Sequence, residues 1–448
     1  MRLTPQTMLP MKKFLPFLLL LGAFSSCLEE SCEETQTVIG LEPITVTAEE
    51  WRSNADFAHG SGRQVCTASG FYVYRQFLFI VEENAGLHIY DNTDTNNPVP
   101  VTFMDIPGGQ GLAVRNNILY INQYTDLVAF SLENPERPQL VGRTTNVFEP
   151  RSIFAQVLRN DEFVIGWTST NQRRILDCNS PNFGRNGFWE DHFYFADALS
   201  AYASGETLRG NFNQSSNTSG PTTDVVGQGG SLARFTISNG TLYAVDQRSL
   251  RVFDLADADH PVFSNTVQLG RGIETIFPYQ DKLFIGSQTG MHIYSVATPT
   301  APVHLSTFEH VLSCDPVVVD NDLAYVTLWG GRNCGTRGDQ LEIIDVSDAR
   351  NPVSLQIIPM SNSHGLSVAE GKLFLCAQRE GLKVFDLTDD GLLGEQLSAM
   401  DNINARDVIA LPASNDLIVL GYAEDGIRQF DYSNEGQLSA TSKIELCQ

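Results

Sequence analysis

Residues 86–99 read GLHIYDNTDTNNPV, and six further segments of the chain repeat this pattern. Each copy alternates apolar and polar residues, which is the periodicity of a strand, and then turns through Asp, Ser or Asn. The strand ends at an Asp or Ser in every copy, at Asp91, Ser131, Asp254, Ser295, Asp345, Asp386 and Asp431. Five copies carry a proline seven residues later, at Pro98, Pro138, Pro261, Pro302 and Pro352. Because proline cannot donate to a strand ladder, it marks the start of an outer strand.

The spacing of the copies gives the size of the repeating unit. The strand-ending residues are separated by 40, 123, 41, 50, 41 and 45 positions. Two strand-like runs precede each motif and one follows it, so a unit holds four strands in about 40 residues, the size of a propeller blade. The sequence therefore predicts an all-β fold, a β-propeller with seven four-stranded blades. Closing the ring removes long exposed sheet edges, which keeps so much β-structure soluble.

Residues 151–230 break the period and account for the step of 123. They contain a strand-like run, EFVIGWTSTNQRRILDC, an aromatic cluster, NGFWEDHFYFADALSAY, and a low-complexity loop, NQSSNTSGPTTDVVGQGG. We interpret the region as one long insertion in a seven-bladed ring. A degenerate eighth blade within the same residues is the alternative.

The N-terminus has the layout of an export signal. Residues 11–27 read MKKFLPFLLLLGAFSSC, in which two lysines precede an apolar stretch too short to span a bilayer. The end of this segment resembles a lipobox, which implies that residues 1–26 are a lipoprotein signal peptide and that Cys27 is acylated. Residues 27–44 are expected to form an acidic tether, and the LEESCEE run within it resembles the surface-export signal of Bacteroidetes lipoproteins. An ordinary cleaved signal with a free Cys27 is the alternative.

These features predict an outer-membrane protein held by its lipid, with its body either displayed at the cell surface or facing the periplasm. No other stretch is long and apolar enough to span a membrane. The 29 basic and 53 acidic residues give a net charge of −24, and removing residues 1–26 takes away Arg2, Lys12 and Lys13, leaving −27. A charge this negative repels phosphate backbones, so nucleic acid is excluded as an expected partner.

Three phrases carry a family resemblance: GIETIFPYQDKLFIGSQTGMHIY (272–294), CDPVVVDNDLAYVTL (314–328) and HGLSVAEGKLFLCAQREGLKVFD (364–386). They resemble the LVIVD repeat of bacterial surface proteins, in the form found in Bacteroidetes lipoproteins. The resemblance covers residues 45–446. It implies a propeller at the cell surface and no defined activity.

The innermost strands of a propeller begin around one mouth of its central channel. The predicted strand starts place six ionisable residues there: Arg234, Glu274, Asp315, His364, Arg406 and Asp407. Converging polar groups are typical of a ligand pocket, and this mixture suits a sugar, a carboxylate, a zwitterion or a cation. The alternative is that these side chains pair with one another and line a water-filled channel.

No motif predicts catalysis. The chain has no G-x-S-x-G, no H-E-x-x-H and no phosphate-binding glycine loop before a helix, and we expect neither a metal nor a cofactor. The run DNTDTNN (91–97) predicts a turn stabilised by Asp side chains rather than a calcium loop. The favoured hypothesis is a monomeric binding or scaffold protein for a glycan, a small molecule or another protein. The alternative is a carbohydrate-active hydrolase or lyase with its site at the channel mouth.

Eight cysteines remain to be assigned. With Cys27 acylated, seven are left, so at least one thiol is unpaired. Cys314 and Cys334 are the disulfide candidate, because they lie in one blade and would staple its long loop over the mouth. Two reduced thiols are the alternative. Cys376 lies inside a strand and is expected to be a small buried apolar residue.

Overall fold

The computed structural model describes residues 33–53, 57, 60, 63–82, 85–149, 157–159, 162–177, 225–310, 316–330, 339–422 and 425–447. The signal peptide, Cys27, Asp315 and the pair Cys314 and Cys334 lie outside these residues. Within them, the chain forms one short helix, α1 (Ala48–Ser53), and 32 strands.

The strands before residue 150 are β1 (Glu33–Thr47), β2 (Ala68–Tyr74), β3 (Phe77–Glu82), β4 (Gly86–Asp91), β5 (Val99–Asp105), β6 (Leu112–Arg115), β7 (Ile118–Gln123), β8 (Asp126–Ser131) and β9 (Gln139–Thr144). The region predicted as an insertion contains β10 (Val157–Arg159), β11 (Glu162–Asp177) and β12 (Gln228–Gly229).

The remaining strands are β13 (Phe235–Ser238), β14 (Thr241–Val245), β15 (Ser249–Asp254), β16 (Val262–Gln268), β17 (Ile273–Tyr279), β18 (Lys282–Ser287), β19 (Gly290–Ser295), β20 (Val303–Glu309), β21 (Val317–Asp320), β22 (Leu323–Leu328), β23 (Gln340–Asp345), β24 (Val353–Pro359), β25 (Leu366–Ala369), β26 (Lys372–Cys376), β27 (Leu382–Leu387), β28 (Leu393–Met400), β29 (Ala405–Leu411), β30 (Asp416–Gly421), β31 (Ile427–Asn434) and β32 (Gln437–Ile444).

These strands build seven antiparallel blades, which confirms the predicted seven-bladed propeller. Blades 1 to 7 are β2–β5, β6–β9, β13–β16, β17–β20, β21–β24, β25–β28 and β29–β32, each with its strands in chain order. Neighbouring blades pack through their inner strands, and β2 lies against β30, so the ring closes between blades 1 and 7. None of the described residues of 151–230 forms an eighth blade.

The second strand of each blade shows how the repeat packs blade against blade. Its third residue is a buried tyrosine in three blades and a buried phenylalanine in three others. Tyr120, Tyr243 and Tyr325 each donate a 2.8 Å hydrogen bond to a carbonyl of the next blade, at Ala258, Pro299 and Gly391 respectively. The ring therefore combines apolar burial with a polar link where the hydroxyl is present.

The strand-ending acids form the predicted turns. Asp91 Oδ1 accepts hydrogen bonds from the backbone nitrogen of Thr93 at 2.9 Å and from its hydroxyl at 2.6 Å. Asp345 accepts from the backbone nitrogen of Ser347 in the same way, at 2.9 Å. These bonds favour the ionised carboxylate, so the pKa values of Asp91 and Asp345 are lowered.

A disulfide joins the two ends of the ring. Cys66, just before blade 1, is bonded to Cys447, just after blade 7, and the Cys447 amide donates to the Val65 carbonyl at 2.7 Å. This pairing was not predicted from the sequence. Cys376 is a fully buried free thiol, which confirms that prediction.

A separate three-stranded sheet has the order β1–β11–β10. Its residues 33–43 and 167–177 belong to a second compact unit of the chain. The strand predicted from EFVIGWTSTNQRRILDC is confirmed as β11. Residues 33–44 of the expected tether are strand β1 instead, because the neighbouring strand β11 supplies backbone partners. No helix of the described residues is both long and apolar enough to cross a membrane.

Candidate functional site

The mouth is the face of the ring at which the inner strands β2, β6, β13, β17, β21, β25 and β29 begin. The connections between the second and third strands of each blade reach the same face, because adjacent strands are antiparallel. The mouth is therefore built from two loops of every blade, and these loops carry its side chains.

The channel behind the mouth is occupied by the chain itself. Residues 225–232, the axial segment, run antiparallel to two inner strands. The backbone nitrogen of Gly227 donates to the Val114 carbonyl of β6 at 3.0 Å, and β12 pairs with β2. These registers carry the segment from the opposite face up to the mouth. Nothing in the low-complexity composition of this loop predicts that it enters the channel.

Glycine makes the close approach of the axial segment feasible. A Cβ on Gly227 would lie 2.3 Å from the ring of Tyr72, and a Cβ on Gly230 would lie 2.1 Å from Asp407 Oδ2. At either position, a Cβ would force the segment or the contacted side chain to shift.

Asp407 fastens the end of the axial segment. Its Oδ1 accepts from the hydroxyl of Ser231 at 2.8 Å and from the Ser231 amide at 3.2 Å, and its Oδ2 accepts from the Leu232 amide at 3.3 Å. Burial raises the pKa of Asp407 to about 6, although these hydrogen bonds act in the opposite direction. Asp407 was predicted as a ligand residue of the mouth. Both of its oxygens are instead engaged by the chain, because the axial segment fills the space in front of it.

His364 is placed at the mouth as predicted, but it is buried and fully engaged. Its Nδ1 lies 3.1 Å from the carbonyl oxygen of Asn362, and its Nε2 lies 2.5 Å from Nε2 of Gln378. A carbonyl accepts, so Nδ1 carries the proton, and Nε2 of the neutral ring accepts from the Gln378 amide. Burial lowers the pKa of His364, which agrees with this neutral form.

Aromatic rings connect His364 to Arg406. The His364 ring stacks on Trp329, with centroids 4.1 Å apart, and meets the ring of Tyr422 edge-on at 6.3 Å. The guanidinium of Arg406 lies 5.6 Å from the Tyr422 ring centroid. We call Trp329, His364, Arg406 and Tyr422 the aromatic–arginine cluster. It combines blades 5, 6 and 7, and all its members except His364 are half-buried.

Arg234 and Glu274 lie on blades 3 and 4. The Nη1 of Arg234 donates to the carbonyl of Ile273 at 3.4 Å, and Glu274 accepts from the side chain of Gln288 at 3.3 Å. Burial lowers the pKa of Arg234, while the charge of Glu274 acts against that shift. The structure thus brings His364 and Arg406 into one cluster and leaves Arg234 and Glu274 as a separate charged pair of neighbours.

The sequence missed Trp329 and Tyr422, because both follow second strands rather than precede inner ones.

A small axial cavity lies beside the segment. It measures about 40 Å³ and is lined mainly by apolar residues of the inner strands, including Phe277, Val318, Leu366 and Val408. This space is large enough for a few waters and too small for a sugar. Among the residues that the structure describes, no group of three or more His, Cys, Asp or Glu side chains is arranged to hold a metal.

Comparison with solved structures finds the same fold in proteins of very different sequence. A Bacteroides fragilis protein assigned as a 6-phosphogluconolactonase has a TM-score of 0.52 at 10% identity, over 84% of this chain and 95% of its own. The periplasmic gluconolactonase of Pseudomonas aeruginosa gives 0.52 at 10% identity, over 84% and 96%. A protein from Lactobacillus plantarum gives 0.51 at 13% identity, over 84% and 95%.

Comparison with protein-family profiles and with curated protein sequences finds no match. At 10–13% identity, the structural likeness establishes the propeller fold and nothing about activity.

Proposed function

We propose that the protein is a lipid-anchored LVIVD-type propeller of the outer membrane or cell surface, whose mouth binds a small ligand at the aromatic–arginine cluster. The observation that carries this proposal is the continuous contact from Trp329 through His364 and Tyr422 to Arg406. Half-buried aromatic rings offer apolar area with fixed orientation, and an arginine beside them adds directional donors. Such a combination is typical of a binding site.

Binding is favoured over catalysis by the state of the titratable groups. Acid–base catalysis needs a group that can exchange a proton with the substrate. Both nitrogens of His364 and both oxygens of Asp407 are instead engaged by the protein. His364 and Asp407, whose pKa values are shifted, therefore stabilise the structure through their hydrogen bonds rather than exchange protons with a substrate.

A carbohydrate-active hydrolase or lyase is the second candidate. Two of the structural relatives carry gluconolactonase names, and those names concern the relatives alone. Hydrolysis of glucono-lactone by the purified protein, followed by pH-stat titration, tests this candidate directly. Turnover above the uncatalysed rate that is lost in His364→Ala would favour the enzyme over the binding protein.

The binding site is tested by a thermal-shift screen of glycans, metabolites and metal ions on the chain carrying Cys27→Ser. The same screen is run on Trp329→Ala and Tyr422→Ala, with Tyr294→Phe in blade 4 as a control. The proposal expects a ligand that raises the melting temperature of the parent and the control but not of the two cluster variants. A ligand that stabilises all four proteins equally would place binding elsewhere.

The anchor is tested separately. Cys27→Ser should move the protein from the membrane fraction to the soluble fraction, because the acyl chains provide the attachment. Retention of the variant in the membrane fraction would contradict lipidation at Cys27.

A further inference from the structure

We infer that Arg406 is an oxyanion-binding residue and that the ligand of the mouth is an acidic sugar, a pyranose that carries a carboxylate or a phosphate. The inference rests on the proposed function and specifies its ligand class. It begins from the hydrogen-bonding groups of Arg406 and Tyr422 that no described residue uses.

Among the described residues, Arg406 has spare donors. Its Nη1 makes one long hydrogen bond, 3.5 Å, to the carbonyl of Ala68. Within the described part of the chain, no carboxylate lies within 4.0 Å of this guanidinium. The carboxylate next to it in sequence, Asp407, faces Ser231 and Leu232 instead. A half-buried guanidinium with most of its five N–H groups unspent is suited to a ligand carboxylate or phosphate, which it can bind through two parallel hydrogen bonds.

Other half-buried or buried arginines of the ring show the contrast. Arg143, Arg251 and Arg428 each have a carboxylate oxygen at 3.1, 3.1 and 2.8 Å respectively. Pairing with a carboxylate is therefore common in this strongly acidic protein. Arg406 differs from these three arginines, as does Arg234, whose Nη1 donates to the Ile273 carbonyl at 3.4 Å. At Arg406, the carboxylate that is next to it in sequence, Asp407, is bound by the axial segment.

One neighbour of Arg406 also has an unused polar atom. The hydroxyl of Tyr422 makes no hydrogen bond within the described residues, and its ring lies against the guanidinium. A ligand that satisfies both residues supplies an oxyanion for Arg406 and a hydroxyl for Tyr422. An acidic sugar has both, while the flat aromatic rings accommodate its apolar face.

The experiment compares three pyranoses that differ only at C6: D-glucuronate, D-glucose 6-phosphate and D-glucose. Dissociation constants are measured by isothermal titration calorimetry on the chain carrying Cys27→Ser, alone and with Arg406→Gln, Arg406→Lys or Arg350→Gln added. Arg350 is exposed on the opposite face, so its variant removes the same charge away from the mouth.

The inference expects at least one of the two anionic sugars to bind, and to bind more tightly than glucose. Arg406→Gln should weaken the binding of that sugar about tenfold or more, since it removes charge-assisted hydrogen bonds to the oxyanion. Arg406→Lys should restore part of the loss, because it keeps the charge without the paired donors. Arg350→Gln should leave the affinity unchanged. The dissociation constants of glucuronate and glucose 6-phosphate then show whether the site prefers a carboxylate or a phosphate.

The other outcomes separate the two proposals. Equal affinity for all three sugars, abolished by Trp329→Ala, would overturn the oxyanion inference and leave the binding mouth standing. Equal weakening in Arg350→Gln and Arg406→Gln would assign the effect to overall charge and would also overturn the inference. No binding of any of the three sugars to a parent that melts cooperatively overturns it as well, while the proposed function is then judged by the wider ligand screen.

Discussion

Asn92 and Gln429 exchange two hydrogen bonds across the seam between blades 1 and 7. Asn92 Nδ2 donates to Gln429 Oε1 at 2.8 Å, and Gln429 Nε2 donates to Asn92 Oδ1 at 2.7 Å. Gln429 is completely buried and Asn92 nearly so. Every described blade is formed by one continuous stretch of chain, so no exchanged strand holds this seam. The seam is held by this side-chain pair, by the Cys66–Cys447 bond and by an apolar cluster that joins residues of blades 1 and 7.

Gln429→Ala should lower the free energy of unfolding by about 1–3 kcal/mol, because it leaves the buried Asn92 amide without its partner. Asn92→Ala should have an effect of similar size. The double variant should cost clearly less than the sum, since each single change already breaks the same two bonds. Urea denaturation of the four proteins measures this coupling. Strict additivity would mean that the pair contributes nothing as a pair.

Removing the Cys66–Cys447 disulfide should weaken the closure of the ring and lower its stability. Cys66→Ser should cost about 2–4 kcal/mol, because the bond closes a very long loop of the unfolded chain. The parent treated with a reductant should melt at the temperature of the variant, and the variant should not respond to reductant. A parent whose melting temperature is insensitive to reduction would show that the seam does not depend on this bond.

The tyrosines of the second strands provide a test of the links between blades. Tyr120→Phe should destabilise the protein by about 1 kcal/mol through the lost bond to the Ala258 carbonyl, with packing unchanged. Phenylalanine already occupies the equivalent positions of three other blades, so the ring tolerates the shape. Tyr294→Phe, whose hydroxyl makes no hydrogen bond in the described structure, is the matched control and should be neutral. Equal effects of both substitutions on the unfolding free energy would contradict the role assigned to Tyr120.

The blades could be predicted from the sequence because every copy of the repeat forms the same local interactions. Each copy shows the strand alternation, and each strand-ending acid such as Asp91 or Asp345 forms its turn with residues two positions away. Interactions between residues so close in the chain can be predicted from a single sequence. The number of blades followed from counting those copies.

The candidate site was predicted only in part, because its decisive contacts are not local. Ser231 and Asp407 are 176 residues apart, and Cys66 and Cys447 are 381 apart. No spacing rule connects such pairs, and cysteine pairing cannot be deduced from the sequence. Asp407 was correctly placed at the start of an inner strand, but its partner came from a loop whose composition predicted no contact at all.

The axial segment depends on glycine at its closest approach to the ring. Gly230→Ala would place a Cβ 2.1 Å from Asp407 Oδ2, so either the segment or the carboxylate must move. We expect a loss of about 1–3 kcal/mol in unfolding free energy, the usual cost of overpacking. Gly70→Ala in β2 is the matched control, because its Cβ would meet no atom within 4 Å. A Gly230→Ala protein as stable as this control would mean that the segment does not sit against Asp407.

Asp407 should give the protein a pH dependence of unusual sign. Its pKa is about 6 in the folded protein and 3.8 for an ordinary aspartate, so the folded state binds more protons between those values. The stability that this group contributes is therefore fully present below pH 3.8 and is lost as the pH rises through 6, by up to about 3 kcal/mol.

Asp407→Asn removes this titration, whatever constant effect the amide has on the bonds to Ser231 and Leu232. The unfolding free energy of the parent minus that of the variant should fall as the pH rises from 3.8 to about 6, and should level off above it. The contributions of all other carboxylates cancel in that difference. Asp345→Asn gives the opposite sign as a control, because the pKa of Asp345 is lowered and its contribution is lost on acidification. A difference for Asp407 that rises with pH would mean that the hydrogen bonds from Ser231, Leu232 and the Val408 amide outweigh the burial of the carboxylate, and these bonds would then stabilise the protein most at neutral pH.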